Sequence, residues 1–488
     1  MKKLFLIIFV LSLIFISCDL FTSGTFEQRG NFWAFNFRNN RAYKVDAELL
    51  YQGVYCNVWV EKKSGAGAEQ ARLIANEYDN NIYNKMIENF SMRNFNYNGF
   101  SFDNIMDFAD WLGDNDRKLC ILLLDIRDNY KKGVNDSYIA GYFWSGDLVF
   151  STSGIFGSSS NERDMIYIDT NPGMENGLVE EAYRTLAHEM QHLMNFVTSV
   201  LTRYEDINNS RYVYSMDTWI DEGLSSAAEW VYSGRHSQSR IDWFNLNGMG
   251  DYRKGLIDQG NNFFVWGNRE NESSYAVLDD YATVYLFFQW LRLQAGSDIY
   301  KKIISSSYID HEAVTIVLDE TLPGRGYSKW DVVLKTWLAA NYINAPDGAY
   351  GYRNDPALVD VRIPAPSSIN KTLLLAPGEG VYSLANTNPN PVGQGANIRF
   401  AYLANNVLAD FYNMPSVMLT YNINSYFNPE TYNKGARETG ITTGIPIPPS
   451  SVVFSGGRSA ASADSGPYRI DAGDLLRQNF QWIMSNEQ

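Results

Sequence analysis

Histidine and cysteine are the scarce residues of this 488-residue chain, with 4 and 3 copies. Three cysteines are too few for a disulfide framework, and their spacing matches no zinc site. Positive charge is short as well. Forty Lys and Arg stand against 55 Asp and Glu, for a net charge of −15, and this excludes nucleic acid as a partner, because phosphate contacts need a basic surface. Beyond the first 17 residues no run is apolar enough to cross a bilayer, and no internal repeat or low-complexity tract is evident. What is plentiful is aromatic: 15% of residues, against only 19% charged, suits a well-packed extracytoplasmic protein with Tyr and Trp available for ligand contact. The length allows two or three domains.

The chain opens Met1-Lys2-Lys3, followed by an apolar run from Leu4 to Ile16 broken only by Ser12. That reads as an export signal over residues 1–17, too short to span as a transmembrane helix. Phe15 to Cys18 forms a relaxed lipobox, in which Cys18 would be diacylated and become the mature N-terminus. A strict lipobox favours Leu where Phe15 stands, so cleavage without lipidation is the alternative. Residues 18–30 are expected as anchor and tether, holding a soluble body at the bacterial cell envelope, on the outer membrane, its periplasmic face or the cell surface. The remaining cysteines, Cys56 and Cys120, lie in strand-like runs. Export permits a disulfide between them, and two buried free thiols are the other reading.

Two of the four histidines fall in Thr185 to Phe196, as His188-Glu189-Met190-Gln191-His192. Residues four apart on a helix stand one turn above each other, so both imidazoles can reach one Zn²⁺ while Glu189 points toward the water opposite them. Composition alone would produce this pattern in about one chain of this size in a thousand. Leu186, Met190, Leu193 and Met194 recur at the spacing of a buried helical stripe beside the histidine face. An amphipathic helix whose histidines merely sit near the core is the competing reading.

A catalytic zinc needs a third protein ligand and one open position. Asn195 and Thr198 stand where a short-spaced third-histidine pattern would need Gly and His, and His236 and His311 lie far along the chain. A carboxylate is expected instead. Between Asp217 and Trp230, Glu222 and Glu229 are seven apart and share one helical face, with Asp217 as N-cap and Leu224, Ala227 and Ala228 as a stripe suited to close packing. Glu222 is expected as third ligand and Glu229 as the partner orienting a ligand histidine; a solvated acidic face is the alternative.

The His188 motif together with Trp219-Ile220-Asp221-Glu222-Gly223 resembles the gluzincins, zinc peptidases that use two histidines and a downstream glutamate. Within them, His188 to Phe196 and Trp219 to Glu229 are most similar to the hyicolysin-type neutral zinc metallopeptidases. The likeness reaches upstream through Ile139 to Phe143 and Ser160 to Asp169, and downstream through Asp280 to Gly296, covering about residues 40 to 345. The resemblance implies Zn²⁺ on His188, His192 and Glu222, Glu189 as general base, and Tyr281 as the donor that stabilises an oxyanion, with Tyr275 and Tyr285 as alternatives. It also implies that Met165 to Ile168 is a sheet edge along which a peptide could lie; an ordinary core strand is the other reading.

The fold expected is α+β. A zincin-like catalytic domain over 31–345, a mixed sheet plus active-site helices, precedes a β-rich, sandwich-like domain over 352–488. Alternation over 42–60 suggests sheet. A helix is expected over 68–90, a strand over 119–126, and helices over 180–200, 217–233, 281–295 and 328–343. Gly154 to Asn161 reads as a surface loop. Past Asn344 to Gly348, prolines separate short runs at 371–375, 398–403 and 417–423. The expected activity is a zinc endopeptidase acting on proteins or peptides. The alternatives are a surface adhesin that binds through its β-rich domain, and a zinc hydrolase of cell-wall peptides.

Overall fold

The computed structural model describes residues 29–134, 138–149, 159–177, 179–207, 210–245, 276–363, 377–384, 397–404, 407–409, 417–425, 450–454 and 469–471. The export signal, Cys18, the start of the tether, most of the Gly154 loop, Tyr275 and the 371–375 run lie outside them.

Strand-forming alternation builds a seven-stranded mixed sheet. Its strands are β1 (Arg29–Asn36), β2 (Arg41–Gln52) and β3 (Cys56–Glu61), then, beyond the separate hairpin β4 (Arg93–Tyr97) and β5 (Phe100–Asn104), β6 (Leu119–Leu124), β7 (Tyr138–Phe143) and β8 (Met165–Asp169). In the order β1-β2-β3-β6-β8-β7, β3-β6-β8 run parallel and the other pairs antiparallel. The strand 450–454 completes the sheet, antiparallel to β7. Period-two alternation divides the side chains between two cores. Val58, Val60, Ile121, Leu123, Ile166 and Ile168 face the larger one, and Trp59, Leu122, Met165 and Tyr167 the smaller.

The structure decides between the alternatives left open at two places. Met165 to Ile168 is not an edge, because β8 is hydrogen-bonded to β6 on one side and β7 on the other. Every residue of β8 is buried, as a strand covered on both faces requires. Cys56 and Cys120 are buried free thiols. In the parallel β3–β6 register Cys56 faces Leu119 and Cys120 faces Asn57, a one-residue offset that sends the two thiols to opposite faces and into different cores.

The helices lie on the larger core. α1 (Ala68–Glu77) passes through a single π-turn into α2 (Tyr83–Phe90), and α3 (Ile105–Leu112) precedes β6. The long α4 (Glu180–Thr202) packs on β7 and β8, and on its other side against α5 (Thr218–Ser233), with α6 (Gln238–Phe244) following. α7 (Ala276–Ala295) closes over α5. Three further helices, α8 (Asp298–Ile304), α9 (His311–Thr321) and α10 (Trp330–Ile343), complete this layer among the described residues. Of the runs past 352, β9 (Gly380–Leu384), β10 (Ile398–Ala404), β11 (Val407–Ala409) and β12 (Val417–Asn422) form a four-stranded antiparallel sheet. Among the described residues no helix is long and apolar enough to cross a membrane.

Gly223 sets the distance between α5 and α7. A Cβ there would overlap the Phe288 ring, which is itself fully buried. Gly223→Ala is therefore expected to cost about 1–3 kcal/mol by overpacking, and to displace the turn carrying the neighbouring Glu222. Chemical denaturation checks the first effect; an unchanged midpoint would mean that Phe288 can swing aside.

Candidate metal centre

α4 is buried around almost its whole circumference, with Leu186, Met190, Leu193 and Met194 fully inside. His188, Glu189 and His192 are carried inside with them, at 0%, 0% and 2% exposure. Asp217 does occupy the position before α5, but its side chain makes no capping bond. The start of that helix is held instead by its carbonyl, which accepts from the Ile220 and Asp221 N–H groups. From α5, Glu222 and Glu229 point at α4, both 3% exposed.

The two Nε2 atoms converge on Glu222. Its Oε2 lies 3.3 Å from His188 Nε2 and 3.7 Å from His192 Nε2, and His192 Nε2 is buried with no hydrogen-bond partner among the described residues. The opposite edge of each ring is occupied. His188 Nδ1 donates to Glu229 Oε1 at 2.8 Å, and His192 Nδ1 donates to Asp221 Oδ2 at 2.8 Å. A carboxylate accepts, so each Nδ1 carries a proton and each Nε2 is the ring atom that faces Glu222, free to serve as a metal ligand when unprotonated. Donor atoms of His188, His192 and Glu222 all lie within 4.8 Å of one another. Two imidazoles and one carboxylate, each backed or converging in this way, are a donor set that fits Zn²⁺.

Burial pushes the His188 pKa down to about 3. At His192 burial acts in the same direction, but the carboxylates of Asp221 and Glu222 outweigh it and raise the value to about 10. The carboxylates around the two rings thus favour positive charge at this position, and a divalent cation would compete with a proton for it.

Tyr281 is buried on α7. Burial first, then the Glu222 and Glu189 carboxylates and a hydrogen bond to Glu222, push its phenol well above the ordinary range, so it remains a donor beside the Glu222 carboxylate. Tyr285, one turn on, is committed elsewhere. Its hydroxyl bonds His236 Nδ1 at 2.8 Å and accepts from the Ser237 N–H at 3.0 Å.

Three residues of the centre have no counterpart in the sequence reading. Asp221 backs His192. Arg240, from α6, donates to Glu229 Oε1 at 2.7 Å and to Ser226, with its guanidinium 5.2 Å from the Tyr281 ring. Arg203, buried just after α4, donates to Asn195 Oδ1 at 2.7 Å, and Asn195 Nδ2 donates to Asp221 Oδ1 at 2.5 Å. A hydrogen-bonded chain therefore runs from Arg203 to His192. Asp221→Asn is expected to lower zinc affinity ~10–100-fold, because the amide no longer enforces the histidine tautomer. A competitive chelator titration measures this, and wild-type affinity in the variant would remove Asp221 from the centre.

The geometry brings two histidines and one carboxylate into a buried group that could hold a metal ion, with Glu189 buried on the same helix as the histidines. No family model matches the chain. It is 31% identical over 290 residues to the neutral metalloprotease ShpI of Staphylococcus hyicus, a match taking in 58% of this chain and 56% of that protein. The chain thus spans little more than half the length of this relative, and the similarity supports a metallopeptidase family.

Proposed function

We propose that the chain is a zinc-dependent endopeptidase that hydrolyses peptide bonds of extracytoplasmic proteins. The observation that carries this reading is the convergence of His188 Nε2 and His192 Nε2 on Glu222, with Glu189 buried on the same helix. Similarity to a neutral metalloprotease supports the reaction class. Bound to this donor set, Zn²⁺ supplies a Lewis acid that polarises a carbonyl and acidifies a water. Glu189 takes the proton of the attacking water as the C–O bond forms, and returns it to the amine nitrogen as the C–N bond breaks. The Tyr281 phenol donates to the oxygen on which negative charge develops. Glu229 and Asp221 hold the ligand rings, and Arg240 holds Glu229. The proposed address is the cell envelope through a diacylated Cys18, supported by the apolar run from Leu4 to Ile16 ahead of it.

The test is zinc per chain by elemental analysis, with cleavage of casein and a mixed peptide library beside purified peptidoglycan. Near-stoichiometric zinc, with protein cleavage abolished by chelation and restored by Zn²⁺, is the expected result. Cleavage of peptidoglycan alone would replace the substrate class, and failure to take up zinc would overturn the proposal.

A further inference from the structure

A second group of acidic side chains lies away from the metal centre. Asp110 stands in the last turn of α3, Asp114 in the turn that follows, and Asp164 immediately before β8. One carboxylate oxygen from each falls within 4.8 Å of the others. The backbone that gathers them is tightly pinned. The Gly113 N–H donates to the Ala109 and Asp110 carbonyls at 3.0 and 3.1 Å, and a Cβ at Gly113 would run into the Asp164 backbone N at 2.6 Å. Cys120 N–H donates to the Asp164 carbonyl at 3.0 Å, and Arg117 N–H to Asp110 Oδ1 at 2.6 Å.

The side chains are under-compensated for their burial. Asp164 is 1% and Asp110 7% exposed. Oδ1 of Asp164 is buried with no hydrogen-bond partner among the described residues, as is Oδ1 of Asp114. The cation in contact is Arg163, whose Nη1 lies 3.5 Å from Asp114 Oδ2. It leaves the two Oδ1 atoms unanswered. Burying a carboxylate without a partner is costly, and several carboxylates facing one another add repulsion, so burial raises the pKa of all three, and the cost is relieved either by protonation or by a bound cation.

We propose that Asp110, Asp114 and Asp164 form a structural Ca²⁺ site that ties the end of α3 to the start of β8. All three donors are hard oxygens, with no nitrogen or sulfur that would favour zinc or copper. Oxygens that share one divalent cation lie within ~5 Å of one another, and the three carboxylates meet that condition. Mg²⁺ keeps most of its waters, for which a site walled by Asp164 and Asp110 has little room. Asp114, with 21% of its side chain exposed, marks the open side where water completes the Ca²⁺ shell.

The experiment is thermal unfolding of the full zinc-loaded chain, stripped of Ca²⁺ and titrated with CaCl₂ or MgCl₂. Saturating Ca²⁺ is expected to raise Tm by ~3–5 °C, with Mg²⁺ giving clearly less. Asp164→Asn removes the Ca²⁺ response. Because Asp164 is buried, Asp114→Asn at the partly exposed position is a second variant expected to do the same. The response should persist in Glu222→Ala, which separates this site from the zinc centre. No Ca²⁺ response in the wild type, a response surviving in both aspartate variants, or an equal effect of Mg²⁺ would overturn the assignment.

Discussion

Glu189→Gln is expected to leave zinc content unchanged and to lower peptide hydrolysis by ~10²–10⁴-fold, the range that a positioned general base contributes. Glutamine preserves the volume and the hydrogen-bonding reach of the side chain. It cannot accept and hold a proton. Glu189 follows His188 on α4, is fully buried, and stands outside the set of atoms able to grip a metal. The substitution therefore separates holding the metal from using it. The comparison to make is kcat/KM on a peptide substrate with metal analysis of the same preparation. A variant with full zinc and ordinary turnover would end the assignment of Glu189 as base; one that had lost zinc would show that Glu189 acts on the site's structure.

The second large effect is expected at Glu222. Glu222→Ala takes away the carboxylate on which both Nε2 atoms converge, and with it one of three donors, so zinc retention should fall more than ~100-fold, beyond what loss of a supporting partner such as Asp221 produces. Activity measured at limiting zinc should fall in proportion. Asp221 and Glu229 still hold the rings in this variant, so the protein should remain folded, and circular dichroism on the same sample distinguishes loss of the ligand from loss of the fold. Stoichiometric zinc surviving dialysis would point to another third ligand.

The parts of this centre legible in the sequence are those fixed by the period of a single helix. His188 and His192 on α4, and Glu222 and Glu229 on α5, are spaced by four and by seven, and helical geometry alone puts each pair on one face. The crossing of the two helices is not written in either period. Asp221 adjoins Glu222, yet a same-face argument selects one residue of an adjacent pair, while two crossing helices bring both into play. Arg240 and Arg203 reach the centre from other segments, and nothing local marks them.

The same boundary between local and long-range information explains the fold. Helices at 180–202, 218–233 and 330–343 follow their patterns within a few residues. The run from Met165 to Ile168 carried a usable signal, since unbroken apolarity belongs to a strand covered on both faces, but only the pairing with β6 and β7 settles where it sits. For the cysteines the deciding fact is a one-residue offset between parallel strands. That offset depends on how two distant segments meet. Tyr281 and Tyr285 share a helix face, and it takes His236, from a different segment, to claim one of them.

The chain that starts at His192 does not end at Arg203. The same guanidinium donates to the carbonyls of Ile304 and Ser306, at 2.8 and 3.0 Å, so the hold on the His192 ring and the docking of the C-terminal end of α8 share one side chain. By linkage, whatever ion binds the docked arrangement better also reinforces the seam between these two distant stretches, and stripping the ion loosens it. Local opening in the metal-free protein would then begin at this seam, which makes metal occupancy a determinant of resistance to degradation as well as of turnover.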